Sequence, residues 1–87
     1  MKVQTLENNK KKLKIGAPIW IIEQLSSKIC LSIIKGYSEI TIKNEKIPIV
    51  VLKLLEGSKG EVSRVYSDCF ISKEDAELFK KLEDKNF

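Results

Sequence analysis

The sequence predicts an α+β fold, in which a small antiparallel sheet packs against a short N-terminal helix and a C-terminal helix. Three observations indicate this. Apolar residues recur at helical spacing after Pro18, they alternate along the chain from Ile29, and the last segment carries the capping and charge signals of a helix. With 87 residues, 43% of them apolar, we expect one small domain over 13–87. The polar, Lys-rich residues 1–12 predict a flexible basic arm.

The first half of the domain predicts one helix and two strands. Ile and Leu side chains follow Pro18 at helical spacing, and Pro is favoured in a first helical turn, so we predict a helix over 18–27. Alternating apolar residues predict strands over 29–34 and 38–43. The Asn-Glu-Lys sequence at 44–46 is typical of a polar turn that leads into the next apolar segment.

The second half contains one ambiguous segment and one clear helix. Residues 47–55 are apolar at nearly every position, which suits a buried strand or a buried helix. In the α+β interpretation they form a hairpin with 61–71 across a turn at 57–60. The last segment predicts a helix over 73–85, because Ser72 can cap it, acidic residues begin it and lysines end it.

The alternative fold is a mainly α winged-helix or helix-turn-helix structure with helices over 48–56, 62–69 and 73–85. The steric requirements of a helix-turn-helix argue against this fold. Its turn needs Gly where this chain has Phe70, and its first helix needs a small residue where the chain has Tyr66. Three carboxylates would also begin the recognition helix, which faces DNA phosphates in such proteins.

The charge of the chain is concentrated near its start. The net charge is +4, and residues 1–14, with five Lys and one Glu, also sum to +4. Such a cluster can neutralise phosphates without sequence preference, whereas the alternative interpretation is a solvated tail. The candidate nucleic-acid-binding residues are Lys10, Lys11, Lys12 and Lys14.

Most catalytic chemistry is excluded by composition. The chain has no His, which removes His-based zinc sites and Ser/His or Cys/His nucleophile pairs. No carboxylate pair or phosphate-binding loop has a suitable spacing, so we expect no enzyme, no cofactor and no metal. We predict that Cys30 and Cys69 are buried free thiols, as is usual in a reducing compartment.

Two further features of the sequence concern the cellular location of the protein and its contacts with other proteins. The N-terminus lacks a signal-peptide pattern and no apolar run is long enough for a membrane span, so we expect a cytoplasmic or nuclear protein that is not secreted. Trp20 is a core residue or a protein-interface anchor, since Trp is enriched among residues that dominate binding energy.

Residues 17–25, APIWIIEQL, and the apolar alternation that follows resemble the opening of the small β-rich domain of GINS subunits. These are replication factors, and Pro18, Trp20 and Leu25 carry most of the resemblance, which covers residues 17–34. The resemblance implies a non-catalytic scaffold in a DNA-replication assembly, with Trp20 as a packing residue.

Together these observations predict a non-catalytic accessory or adaptor subunit of a nucleic-acid-handling complex of the replication type. Its basic arm would make non-specific phosphate contacts, and its body would bind a protein partner or a second copy, without a membrane. Two alternatives are a helix-turn-helix or winged-helix DNA-binding regulator, and a small phage-type protein that binds and blocks a host protein.

Overall fold

The computed structural model of the chain describes residues 3–9, 11–56 and 60–84. Most of this is one curled antiparallel sheet, followed by a 3-10 turn and a single α-helix. The strands lie in chain order, and the elements are β1 (Pro18–Ile22), β2 (Ile29–Ile42), β3 (Glu45–Leu54), β4 (Gly60–Val65), the 3-10 turn (Tyr66–Asp68) and α1 (Lys73–Asp84).

The inner face of the curled sheet holds the core. Residues paired across antiparallel strands share a face, so Ile21 opposite Cys30 and Ile34 opposite Leu52 all point inward. Ser32 is buried among them, and its Oγ donates a hydrogen bond of 2.8 Å to the Ile19 carbonyl. The buried residues of this cluster are Leu6, Ile19, Ile21, Cys30, Ile34, Val50, Leu52, Leu54 and Cys69.

Phe70 joins the end of the sheet to its beginning. The Phe70 N–H donates to the Trp20 carbonyl at 2.8 Å, and the Trp20 N–H donates to the Phe70 carbonyl at 3.0 Å. The Phe70 side chain is 2% exposed, and its ring centroid lies 5.1 Å from that of Phe79 in α1. The segment after β4 therefore pairs with β1, and α1 packs against β1 and β2.

The β2–β3 hairpin extends beyond both neighbouring strands. Its ladder runs outward as far as Ile42 opposite Glu45, whereas the pairing of β1 with β2 stops at Ile33 and that of β4 with β3 stops at Ile49. The distal part of the hairpin is therefore two-stranded, and the side chains of residues 38–46 are exposed.

Two backbone features shape this hairpin. Lys43 and Asn44 have φ of 49° and 66°, which are the positive values that a two-residue type I′ turn requires. The register between β2 and β3 shifts between Ile34 and Gly36, which leaves Lys35 as the extra residue of a bulge. Bulges bend a strand and increase its twist, so this one separates the core half of β2 from its exposed half.

The predicted α+β fold, with a helix at each end of the sheet, is wrong because the N-terminal helix over 18–27 does not exist. Residues 18–22 form β1, which pairs with 29–33. The Ile-Trp-Ile-Ile run places alternate side chains on opposite faces, and these β-branched residues suit a sheet. Pro18 is tolerated because it is the first residue of a strand at the sheet edge.

The mainly α alternative is also wrong for the described residues, because 45–54 and 60–65 are strands. The two strands predicted over 29–34 and 38–43 form one continuous strand, β2. The turn predicted at 44–46 lies one residue earlier, at Lys43 and Asn44, and most of the turn predicted at 57–60 lies outside the described residues.

The C-terminal helix is confirmed over 73–84, and residue 85 lies outside the described range. The predicted cap is also present. The Asp75 N–H donates to Ser72 Oγ at 3.1 Å, and this hydroxyl donates to Asp75 Oδ2 at 2.7 Å. The acidic first turn favours the positive end of the helix dipole, as the sequence indicates.

We expect Phe70→Ala to lower the free energy of unfolding by about 3–5 kcal/mol, because it removes a buried aromatic ring at the closure of the sheet. Phe70→Leu should cost less. Leu82→Ala, at a position 46% exposed, is the control and should change stability by about 0.5 kcal/mol or less. Urea unfolding followed by Trp20 fluorescence measures all three, and equal losses for Phe70→Ala and Leu82→Ala would contradict this account.

Candidate functional site

The predicted lysine cluster lies along the sheet in the part that the structure describes. Lys11, Lys12 and Lys14 are exposed, and Lys10 lies outside the described residues. Leu13, between them, is partly buried and packs against the core. Inward packing of Leu13 leaves the neighbouring lysines on the solvent side of the segment.

Tyr37 of β2 fixes this segment at two points. Its hydroxyl donates a hydrogen bond of 2.6 Å to the Leu13 carbonyl. The Lys12 ammonium lies 4.2 Å from the centroid of the Tyr37 ring, which is within cation–π distance. We call Lys11, Lys12, Lys14 and Tyr37 the basic strip.

The environment of Tyr37 keeps its hydroxyl protonated. Burial raises the pKa of Tyr37, and proximity to Tyr66 and Cys69 adds to the rise. The rings of Tyr37 and Tyr66 meet edge to face, with centroids 6.0 Å apart and planes at 77°. A neutral phenol can donate to the Leu13 carbonyl, so the contact persists throughout the physiological pH range.

Residues 3–9, which the sequence assigns to the flexible arm, lie against the sheet and α1. Leu6 is 5% exposed, and its N–H donates to the Cys69 carbonyl at 2.8 Å. The Gln4 N–H donates to Asp75 Oδ1 at 3.0 Å. These contacts place the segment that precedes the basic strip on the same body as the strip.

Trp20, the predicted protein-interface residue, is partly buried on the face of β1 opposite the core. It lies across from Leu31 in the register of β1 and β2. The Lys73 ammonium of α1 is 5.9 Å from the Trp20 ring centroid. Trp20 is therefore separate from the basic strip, and no contact between the two is found among the described residues.

Sequence reasoning missed a cleft around Arg64, the single arginine of the chain. Two cavities of about 270 and 240 Å³ share Glu23, Gln24 and Arg64. The first exposes somewhat more polar than apolar surface, and the second exposes more apolar than polar surface. The other residues of the first are Ile22, Ser27, Asp68, Phe70, Phe79 and Glu83, and those of the second are Ile21, Leu25, Cys30, Leu54 and Val62.

The Arg64 guanidinium makes few polar contacts with other described residues. Its one hydrogen bond to a described residue runs from Nη1 to the Ser63 carbonyl at 3.1 Å, and no described carboxylate lies within ion-pair distance of it. Leu25 at the rim is fully exposed. The arrangement offers a more polar cavity beside a more apolar one.

The two cysteines are free and buried, as predicted. Burial raises the pKa of Cys69 to about 12, assisted by the neighbouring Asp68 and opposed by Arg64. Burial, and next the Glu23 carboxylate, also raise the pKa of Cys30. Both thiols are protonated at neutral pH and therefore poor nucleophiles.

Neither a metal centre nor a membrane-spanning helix is found among residues 3–9, 11–56 and 60–84. No group of three or more His, Cys, Asp or Glu side chains in this part of the chain is placed to hold a metal ion. No described helix combines the length and apolar character needed to cross a membrane.

No protein-family model matches this chain, and no curated protein sequence or solved structure is significantly similar to it. The basic strip and the cleft around Arg64 are therefore the structural features that bear on function.

We expect the stability of the fold to decrease as the pH rises above about 9. The pKa of Cys69 is raised from 9.0 to about 12 in the fold, so above pH 9 the unfolded chain releases this proton while the folded chain retains it. The loss from one such group reaches at most about 1.4 kcal/mol per pH unit. The raised pKa values of Cys30 and Tyr37 act in the same direction.

Urea unfolding at about pH 8 and about pH 10.5 tests this, with each protein compared with itself at the two pH values. In Cys69→Ala the decrease between them should be smaller than in the unchanged chain. An identical decrease in both proteins would rule out Cys69 as its source.

Proposed function

We propose that this protein is a non-catalytic accessory subunit that contacts nucleic acid through the basic strip. The observation that supports this most is the fixed position of the strip. Tyr37 bonds the Leu13 carbonyl and carries the Lys12 ammonium over its ring, at 2.6 and 4.2 Å. Lysines held on one surface lose less conformational entropy on binding a phosphate backbone than lysines on a free chain.

The distribution of charge supports the same function. Residues 1–14 carry a net charge of +4, equal to that of the whole chain, so the remaining 73 residues are neutral overall. A polyanion would be attracted to the surface that carries this segment rather than to the rest of the body. Such binding is sensitive to salt and independent of sequence, because it rests on the release of counterions from the backbone.

The resemblance of residues 17–34 to GINS subunits supports placing this subunit in a replication-type assembly. In that setting the folded body contacts protein. The resemblance implies a packing role for Trp20, whereas its partial exposure on the face of β1 opposite the core makes it a candidate contact residue. The chain would then link a nucleic acid to a protein neighbour without catalysing a reaction.

A second candidate function is the stoichiometric binding of a protein, with the chain blocking its partner. The cleft around Arg64 favours this function, because it places a guanidinium without a described ion pair beside an apolar cavity of about 240 Å³. An acidic group next to an aliphatic side chain on the partner would suit these two features.

The first test is fluorescence anisotropy of labelled single- and double-stranded DNA and RNA over a salt series. We expect the triple variant Lys11→Gln, Lys12→Gln, Lys14→Gln to reduce the slope of log affinity against log salt on duplex DNA by about 2.7, the value for three lost phosphate contacts. The control makes the same charge change at Lys28, Lys53 and Lys81, which are exposed elsewhere.

An unchanged slope in the strip variant, or an equal loss in the control, would remove the strip from the proposal. No binding by the unchanged chain at low salt would discard the nucleic-acid function and leave the protein-binding candidate.

Tyr37→Phe tests whether anchoring matters. This variant keeps the aromatic ring below Lys12 but removes the hydrogen bond to the Leu13 carbonyl, which is worth about 0.5–1.5 kcal/mol. We expect duplex affinity to fall by about two- to tenfold with an unchanged salt slope, because the number of phosphate contacts is the same. Unaltered affinity would mean that the lysines act as a free tail.

A further inference from the structure

We propose that the exposed edge of β2 pairs with the same edge of a second copy, as antiparallel strands related by a two-fold axis at Thr41. This goes beyond the proposed function and does not depend on it. The surface is the distal part of β2, residues 37–42, where β1 no longer covers the strand. In the described residues, the last backbone contacts on this edge of β2 are those of Ile34 with Ala17 and Gly16.

The two edges of the hairpin differ in their protection. The open edge of β3, residues 45–48, carries Pro48, which has no N–H to offer to another strand. Natural sheets use Pro in this way to block edge-to-edge pairing. The corresponding edge of β2 has no Pro and reads Tyr-Ser-Glu-Ile-Thr-Ile, with two β-branched isoleucines and a β-branched threonine. Only the β2 edge is therefore available to a further strand.

The hairpin geometry identifies which backbone groups face outward. In a two-residue hairpin the residues that flank the turn, here Ile42 and Glu45, exchange hydrogen bonds, and hydrogen-bonded and open pairs then alternate. Thr41 and Glu39 fall in open pairs, so their N–H and C=O groups point away from β3. Pro48 lies opposite Glu39 in such an open pair, where a missing N–H costs no ladder bond.

A two-fold axis at Thr41 pairs these outward-facing backbone groups and places compatible side chains of the two copies opposite each other. Thr41 pairs with Thr41 of the second copy through two backbone hydrogen bonds. Ile40 then lies opposite Ile42 of the second copy, and Glu39 lies next to Lys43, the first turn residue of that copy. Each of these matches occurs twice by symmetry, so two apolar pairs and two opposite-charge pairs form.

The neighbouring registers are less favourable. An axis at Ile40 would place Glu39 opposite Thr41, without an opposite-charge pair, and an axis at Glu39 would set two carboxylates directly opposite each other. Within one chain, the Glu39 carboxylate lies 3.8 Å from the Lys46 ammonium. The Thr41 register brings Lys43 of the second copy to this carboxylate as well.

Pairing also covers apolar surface that the single chain leaves open. Ile40 and Ile42 are 40% and 49% exposed on one face of the hairpin, with Ile47 opposite Ile40. An isolated two-stranded hairpin is marginally stable in water. A second copy turns it into a four-stranded ribbon whose isoleucines form one continuous row. The contact is smaller than the roughly 1,200 Å² of a standard interface, so the dimer is reversible.

The decisive experiment is oxidative cross-linking of Thr41→Cys by diamide, which takes two electrons from two thiols to form one disulfide. Directly paired residues have Cα atoms about 5.5 Å apart, within the range of a disulfide. Cys30 and Cys69 are buried and do not interfere. Ser38→Cys, on the same exposed strand, is the control, because in this register it faces Asn44 and not itself.

We expect a covalent dimer from Thr41→Cys at a rate at least tenfold above that of Ser38→Cys. Sedimentation of the unchanged chain between about 1 µM and about 1 mM should show a dimer that Thr41→Pro abolishes. Circular dichroism establishes that this variant folds. If it does not, Glu39→Lys and Lys43→Glu replace it, since each should weaken the dimer and the double charge swap should restore it.

A chain that stays monomeric throughout this range, with no preferred cross-link at position 41, overturns the proposal. A dimer that withstands Thr41→Pro, or that cross-links equally through Ser38→Cys, uses another surface and overturns it too.

Discussion

The pair of backbone hydrogen bonds between Trp20 and Phe70 is the constraint on which the remaining structure depends. A four-stranded meander has two free edges, and β1 would be one of them without Phe70. The same pairing places Phe70 against Phe79, which positions α1, and brings Cys69 to the carbonyl contact that holds Leu6. Closure of the sheet, placement of the helix and docking of the N-terminal segment therefore share one local cause.

The parts of the fold that the sequence predicts correctly are those that local signals determine. Ser72 and Asp75 form the helix cap that their spacing predicts, and the alternation after Ile29 is that of β2. The helical spacing of Ile21, Ile22 and Leu25 predicts a helix over 18–27, but the five-residue apolar run at 18–22 is equally compatible with a strand. The conformation of this run is decided by pairing with 29–33 and with Phe70, about fifty residues away, and a single sequence shows neither partner.

The candidate site could likewise be predicted from the sequence only in part. A lysine cluster is visible in the sequence, but its attachment is not, since Tyr37 is 24 residues from Leu13 and nothing local couples them. The cleft around Arg64 is less predictable still. Its walls come from the β1–β2 loop, from β4 and from α1, so it exists only after the sheet has curled. The single arginine was the one available signal, and a residue type alone indicates no cavity.

The contacts of residues 3–9 also govern how the chain reaches its folded state. Gln4 bonds Asp75 across 71 positions, Leu6 bonds Cys69, and Trp20 bonds Phe70. Contacts between residues so far apart in sequence slow folding, because a large loop must close before any of them forms. During synthesis, β1 to β3 have no partner for the outer edge of β1 until Phe70 has left the ribosome. A nascent chain therefore displays an open, isoleucine-rich edge until Phe70 emerges, and unpaired strand edges of this kind are prone to aggregation.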